Sequence, residues 1–479
     1  MRISVIARFI GIIILINALF LFISASISLY LAENSFIPLL YTALITALIG
    51  VFPLIFVPNP KELSIYEGII VVAGGWITTC LIGSMPYFMW GGEFSFVNAF
   101  FESVSGYTTT GATILKNIEA LPNGMLFWRA STHFIGGLGV VLFALVIIPM
   151  AAESKLLLFN FEVSNLSKNN FQYRARYALK VILFVYILLI VASTLLYYLG
   201  TMSFFQSICH AFSVVATGGF STMNDSKAEF DCLYSEMVSI FFMFVSAIHF
   251  GLIFETLRLS KFNIFKSTVV RYYTFVTLIA IVLIAFKLYL NGDYNLADSF
   301  RYSSFQTVSI MTTTGFATAD TSVWPVFTHI ILIFLMIHCG CAGSTTSGLK
   351  ADRILIMLKA VRQHIRKLQH PNAVILVKVN KVVVPWEVVN RIGIYIFIYS
   401  FLLFLSTFIL SFFDLDIVTA FSASLATLSN IGPGLGEVGS LSNYSAIPDG
   451  LKIVLSINML IGRLEIFGFI SIFFIRTWR

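Results

Sequence analysis

Long apolar runs recur along this chain at 8–31, 36–57, 65–90, 124–150, 178–200, 236–257, 270–290, 326–340, 388–412 and 451–475. A hydrocarbon core of about 30 Å needs about 20 apolar residues per crossing helix, so each run reads as a membrane helix. Between them lie apolar stretches too short to cross, such as FSFVNAFFESVS at 94–105, which predict re-entrant helices. A polar, glycine-bearing stretch follows, SVSGYTTTGATIL at 103–115. It has relatives in VVATGGFST at 214–222, IMTTTGFATAD at 310–320 and LSNIGPGLGEV at 428–438. Aligning Gly111, Gly218, Gly315 and Gly432 gives spacings of 107, 97 and 117 residues, the mark of a repeated unit. Each unit runs from an apolar helix through a polar turn (Glu93, Ser203, Asp293, Asp414) to a short helix, a glycine strand and a second apolar helix.

The expected fold class is an all-α polytopic membrane protein, with four helix/pore-loop/helix repeats around one pore and two extra N-terminal helices. The predicted divisions are an N-terminal helix pair at 1–60, pore repeats at 61–155, 156–262 and 263–370, a cytoplasmic hairpin at 371–386 and a fourth repeat at 387–479. The hairpin expectation rests on AVILVKVNKVVVP, where Asn380-Lys381 separates two β-branched runs.

Irregular backbone at membrane depth is tolerated only where it is buried in protein or lines a watery cavity. Four glycine strands around one axis answer to that, since glycine reaches φ > 0 readily and carbonyl rings can replace the hydration shell of a monovalent cation. The expected filter comprises Thr109, Thr110 and Gly111, then Ala216, Thr217 and Gly218, then Thr313, Thr314 and Gly315, and finally Asn430, Ile431 and Gly432.

Composition agrees with a lipid environment, at 58% hydrophobic and 11% charged residues. The +7 net charge is divided by side rather than gathered into a nucleic-acid surface. One set of connections holds Lys61, Lys155, Lys168, Arg174, Arg176, Lys180, Arg258, Lys261, Lys266, Arg271, Lys350, Arg353, Lys359, Arg362, Arg366 and Lys367, and the alternate set is mostly acidic. The positive-inside rule then predicts cytoplasmic N- and C-termini, the latter with Arg476 and Arg479. The run after Arg2 and Arg8 continues through Leu31, longer than a signal-peptide core, and reads as the first membrane helix.

The ordered series GYTTTGAT at 106–113, HFIGGLGVV at 133–141, ATGGFST at 216–222, TTTGFATAD at 312–320, CAGST at 341–345, SNIGPGLG at 429–436 and GRLEIF at 462–467 resembles the TrkH branch of the Trk/Ktr/HKT potassium-transport superfamily. The resemblance implies K⁺ as the transported ion, seated against Thr110, Gly111, Thr217, Gly218, Thr314, Gly315, Ile431 and Gly432. It also implies a homodimer with one pore per protomer, a cytosolic nucleotide-binding ring of the TrkA type, a bacterial cytoplasmic-membrane location and no bound cofactor. Arg463, in the middle of the last apolar run, costs at least about 2.5–3.5 kcal/mol to insert and so should face water or a partner. The resemblance adds a gating loop across the pore, with Gly340, Gly343, Ser344, Thr345, Thr346, Ser347 and Gly348. Chains of this branch usually carry further glycines where this one has Thr346 and Ser347.

Residues 350–370 mix Leu and Ile with six Lys or Arg residues, which suits a helix lying against anionic lipid headgroups. The five cysteines read as small core residues; Cys339, Cys341 and the adjacent His338 lack a second cluster that would complete a metal site. His133, His210, His249, His329 and His338 read as neutral hydrogen-bonded groups within the membrane rather than a proton relay. No nucleophile triad, HExxH or phosphate-cradling motif occurs, so no enzyme is expected. The alternative function is an H⁺- or Na⁺-coupled symporter, for which inverted repeats would be the expected signature.

Overall fold

The computed structural model describes residues 2–58, 64–150, 171–259, 264–380 and 382–466. The expected basic positions Lys61, Lys155, Lys168, Lys261, Arg476 and Arg479 lie outside them. An N-terminal antiparallel pair, α1 (Ile3–Tyr30) and α2 (Phe36–Phe56), packs beside four units of one plan. The first contains α3 (Ile65–Trp90), α4 (Phe96–Tyr107) and α5 (Asn123–Met150). In the second, α6 (Phe171–Tyr198) and α7 (Phe204–Val215) lead to α8 (Leu233–Ser246) and α9 (Phe250–Leu259). The third has α10 (Thr268–Asn291), α11 (Leu296–Met311), α12 (Val326–His338) and α13 (Ala351–Gln369), and the fourth has α14 (Trp386–Phe412), α15 (Ile417–Leu428) and α16 (Asp449–Arg463).

The short helices α4, α7 and α15 have 12 residues each and α11 has 16, and 12 residues at 1.5 Å each reach only about 18 Å. Each starts at a side-chain cap, where the oxygen of Ser95, Ser203, Asn295 or Asp416 accepts a backbone N–H from the first turn. Their capped starts are exposed and their C-terminal ends are buried, so each runs from the surface into the interior and stops there.

The second helices depart from the expected continuous runs. The run at 236–257 is two helices, α8 and α9, meeting at a 102° bend. The run at 326–340 stops at His338, twelve residues before α13 begins, and α16 stops at Arg463. Hydrophobicity alone did not reveal these breaks because their loose backbone groups are satisfied by each other, not by solvent. Cys341 N–H donates to Ala247 O at 2.9 Å, Phe250 N–H donates to Gly343 O at 3.2 Å, and the Thr345 hydroxyl donates to Ser246 O at 3.3 Å.

The expected hairpin forms, with β1 (Lys378–Val379) pairing antiparallel to β2 (Val382–Val383). Asn380 takes φ +49°, and its side-chain oxygen accepts from Thr268 N–H at 2.7 Å at the start of α10. Leu48, Phe52, Phe397, Phe404 and Phe408 form part of an exposed apolar belt, as lipid-facing helices require.

Glu33, in the turn between α1 and α2, fastens the helix pair to repeat one. Its carboxylate accepts from Asn123 N–H at 2.8 Å, Gly124 N–H at 3.0 Å and the Ser28 hydroxyl at 2.9 Å, capping the start of α5. Partial burial works to raise its pKa, but the bonds from Gly124, Asn123 and Ser28 outweigh it and leave the carboxyl below its ordinary value. A depressed carboxyl contributes stability above its unfolded-state pKa and loses it as pH falls through the folded-state value. Glu33→Gln is expected to cost about 1 kcal/mol at neutral pH, the usual worth of a helix cap. Thermal unfolding in detergent will show the gap to wild type closing as the pH drops below the carboxylate range.

Candidate ion-selectivity site

All four short helices end in the same way. The residue after the C-cap takes a left-handed conformation, Thr109 at φ +50°, Thr217 at +54°, Thr313 at +54° and Asn430 at +56°. The next N–H turns back five residues, from Thr110 to Ser105, Gly218 to Ser213, Thr314 to Ser309 and Ile431 to Ala426, at 2.8–2.9 Å. This is the Schellman turn, which normally places glycine at the left-handed position. Threonine there is strained, at about 1–3 kcal/mol per residue, and such strain concentrates at functional sites. The next left-handed residues are Gly111, Gly219, Gly315 and Gly432, at φ +82°, +83°, +81° and +95°.

These turns revise the repeat register. Ala216 occupies the C-cap, level with Thr108, Thr312 and Ser429, and Gly219 is the counterpart of Gly111. The spacings become 108, 96 and 117. Gly218 sits where the other strands carry Thr110, Thr314 and Ile431; a Cβ there would meet the His133 ring at 2.4 Å.

The four strands close into a ring. A Cβ on Gly111 would lie 2.2 Å from the carbonyl oxygen of Gly218, one on Gly219 would lie 2.2 Å from that of Thr314, and one on Gly315 would lie 2.0 Å from that of Ile431. The circle completes with Gly432, whose Cβ would meet the Thr110 oxygen at 2.4 Å. Every glycine thus lets the next repeat's carbonyl approach, and all four glycines line one small cavity of about 60 Å³. No Asp or Glu lines that cavity. Backbone groups and the side chains of Thr113, Ser221 and Ser440 line it together with Arg129, whose charge is neutralised by Glu102, and the short helices direct the negative ends of their dipoles to the same place.

The ring is braced from behind by charges that the sequence reading passed over. Glu102 on α4 and Arg129 on α5 are fully buried, 2.7 Å apart. Glu102 also accepts from the Thr113 hydroxyl at 3.0 Å and Ile114 N–H at 3.0 Å, while Arg129 donates to Ser221 O at 2.8 Å. One ion pair therefore holds the outgoing legs of strands one and two. Tyr444 links strand four to strand one, donating its N–H to Thr113 O at 2.8 Å and its hydroxyl to Gly432 O at 2.7 Å. Asn430 donates to the Thr110 hydroxyl and to Met459 O, each at 2.9 Å. Glu102 and Arg129 were legible as ionisable residues inside apolar runs; Gly219 was obscured because Gly218 precedes it.

Below the ring lies the break between α12 and α13. Ser347 N–H points at the Thr313 hydroxyl at 3.4 Å, and the Thr345 hydroxyl donates to Val215 O at 3.1 Å, so this loop reaches the inner ends of strands two and three. Arg463, 3% exposed, donates to Thr345 O at 2.8 Å, the Ser347 hydroxyl at 2.9 Å and Gly136 O at 3.2 Å. Glu465 faces elsewhere, bonding Arg353 at 2.8 Å and Lys350 at 3.3 Å. Gly340 is crowded by Thr346 and Ala247, while Gly343 and Gly348 take φ +77° and +72°. Ser344 shares a hydroxyl contact with Thr346 at 2.8 Å. Thr346 and Ser347 thus make bonds that glycines could not.

A family model described as TrkH, cation transport protein, matches residues 42–477. The chain belongs to the TrkH family. It is 33% identical to the "Trk system potassium uptake protein TrkH" of Halomonas elongata and 30% identical to the protein of that name from Escherichia coli K12, with both chains covered in full in each case. The crystal structure of the potassium transporter TrkH from Vibrio parahaemolyticus matches with a TM-score of 0.91 at 30% identity over the whole of both chains. TrkH-family membership makes this a transporter and not an enzyme.

His133 Nδ1 lies 3.1 Å from the Ser213 hydroxyl, His210 contacts Gln206 O at 2.9 Å and the Ser221 hydroxyl at 3.1 Å, and His329 Nε2 lies 2.9 Å from Thr321 O, whereas the buried His338 Nε2 finds no hydrogen-bond partner and its ring packs against Tyr272 and Phe334. Among the described residues no group of three His, Cys, Asp or Glu could hold a metal ion. Two outcomes check this geometry. Gly219→Ala, which must displace backbone as a side chain on Gly111 would, is expected to lower both ion discrimination and stability, whereas Gly218→Ala meets the His133 ring and should retain more of both, read by liposome flux and thermal unfolding. Glu102→Gln strands the buried Arg129 and should cost about 3–5 kcal/mol; thermal unfolding should show part of that loss recovered in the double variant Glu102→Gln/Arg129→Gln.

Proposed function

We propose that this protein carries K⁺ into the cell through the four-strand ring, a reading supported by its relatives, which are potassium uptake proteins and a potassium transporter by name. The observation that carries the reading is the closed circle of glycine-to-carbonyl contacts, which places four strands where they can replace a monovalent cation's hydration shell. The coordinating groups are the backbone oxygens and hydroxyls of Thr110, Gly111, Thr217, Gly218, Thr314, Gly315, Ile431 and Gly432, with Gly219 added by the revised register.

The short helices begin outside the cell and the basic connections face the cytosol, with both termini inside the bacterial cytoplasmic membrane's inner face. Arg463 and the loop from Gly340 to Gly348 form the gate. A guanidinium with three protein oxygens around it, none of them a carboxylate, puts positive charge beneath a cation filter and raises the barrier to conduction. Opening requires the loop to swing away from Val215 and Thr313. A TrkA-like nucleotide-binding ring, docking near α13 and the hairpin of a homodimer surrounded by lipid, is the partner that supplies the force.

Growth of a K⁺-uptake-deficient bacterium in low K⁺, with and without a candidate ring protein, tests the function; no rescue in several hosts would overturn it. Purified protein in liposomes, with and without a proton gradient, separates passive from coupled flux. Gly111→Ser puts a side chain against Gly218 O and is expected to lower the K⁺/Na⁺ permeability ratio about tenfold. An unchanged ratio would place Gly111 outside the filter. Arg463→Ala, and separately deletion of Ser344 to Ser347, should raise K⁺ flux in the absence of the ring protein with little change in selectivity. Flux at or below the wild-type level in both folded variants would make the arginine structural.

A further inference from the structure

In repeats two and three the residue after the ring glycine is a phenylalanine, Phe220 and Phe316, where repeats one and four have Ala112 and Pro433. Each phenylalanine is set between an imidazole from the same or the preceding repeat and a buried cation. Phe220 stacks on His133 at 4.2 Å between ring centres, and the Arg129 guanidinium lies 3.5 Å from its centroid. Phe316 lies 5.8 Å from the His210 ring and 5.1 Å from the ammonium of Lys227.

The two cations differ in one respect. Arg129 is neutralised by Glu102, whereas none of the ion pairs among the described residues includes Lys227, although it is only 1% exposed. Its ammonium instead lies 4.1 Å from the Tyr197 ring centre, 5.6 Å from that of Phe230 and 3.9 Å from the Met202 sulfur. Three rings and a thioether around one nitrogen make an aromatic cage, the arrangement that recognises organic ammonium ions. Burial without a carboxylate draws the Lys227 pKa well below its ordinary value, so its charge rests on the surrounding rings, and the buried lysine brings a specific backbone contact with it. The N–H groups of Lys227 and Ala228 both donate to Ala317 O, at 3.0 and 3.1 Å, and the Ser226 hydroxyl accepts from Ala317 N–H at 3.2 Å. The outgoing leg of strand three, directly after Gly315-Phe316, is thus clamped by a loop of repeat two.

We propose that Lys227 is a positioning residue for the third strand of the ring, a tethered ammonium whose capture in the cage of Tyr197, Phe230 and Phe316 seats the clamp on Ala317. Emptied of its lysine, the cage is a binding site for a small alkylammonium ion. The effect on selectivity rests on reading Gly315 as part of a K⁺ filter; the clamp itself does not.

Hydrogen–deuterium exchange of residues 312–319 in the purified protein reads the clamp directly. Lys227→Met, which keeps the stem and loses the charge, is expected to raise exchange there about tenfold and to lower the K⁺/Na⁺ permeability ratio in liposomes about threefold. Lys227→Ala should behave alike and be restored in both measurements by n-propylammonium but not by n-propanol. Tyr197→Leu, which removes the nearest ring from outside the ring of strands, should shift both readings in the same direction and decides the matter if the lysine variants do not fold. Unchanged exchange in Lys227→Met and Tyr197→Leu, or rescue by n-propanol equal to that by n-propylammonium, overturns the cage. Raised exchange with an unaltered permeability ratio overturns the positioning role. A wild-type protein without K⁺ selectivity would count against the K⁺ reading alone, because the exchange measurement still decides the clamp.

Discussion

The structure depends on satisfying backbone N–H and C=O groups at a depth where no bulk water reaches them. Four helices stop halfway through the protein, and each leaves carbonyls that need donors. The Schellman turns supply those donors from the chain itself, at the price of left-handed threonines at 109, 217 and 313. The strand that leaves each turn then has carbonyls with no helix to join. Those of Thr110, Gly218, Thr314 and Ile431 lie against the ring glycine of the neighbouring strand, so the strained turns and the close strand contacts are two sides of one arrangement.

What surrounds the ring is less symmetric than the ring. Strands one and two share a buried ion pair, strands two and three share a lysine clamp, and strands four and one share Tyr444. Repeat one is further tied to the N-terminal pair, where the Tyr107 hydroxyl donates to Asn17 at 2.6 Å. A repeated backbone can thus be held by unrelated side chains, because a carbonyl needs a donor and a strand needs a wall, and neither prescribes one residue type. The same freedom explains how Asn430-Ile431-Gly432 reproduces the dihedral pattern of Thr-Thr-Gly.

The broken second helices obey the same rule. The α8–α9 bend and the α12–α13 loop exchange backbone hydrogen bonds, so neither is stable without the other in its present place. Arg463 is held by one carbonyl and one hydroxyl of that loop and by the Gly136 carbonyl of α5, a lighter restraint than a buried carboxylate would impose.

Hydrophobic periodicity and the fourfold glycine motif were enough to determine an all-helical membrane chain, its re-entrant helices and the extra helix pair, because run length and local backbone freedom are properties of contiguous residues. The resemblance carried in GYTTTGAT, CAGST and GRLEIF reached the family for the same reason. The hairpin at Asn380 was equally local. Tertiary structure alone decided the register of strand two, since Gly218 and Gly219 are adjacent and only the turn dihedrals and the His133 ring distinguish them. It alone decided the break at 247–249, whose backbone groups pair with the loop at 339–350 that the resemblance had already indicated. And it alone brought Glu102 to Arg129, Lys227 to Tyr197 and Arg463 to Thr345. Those pairings join residues distant in the chain, and the energy of a buried charge depends on its neighbours in space rather than in sequence.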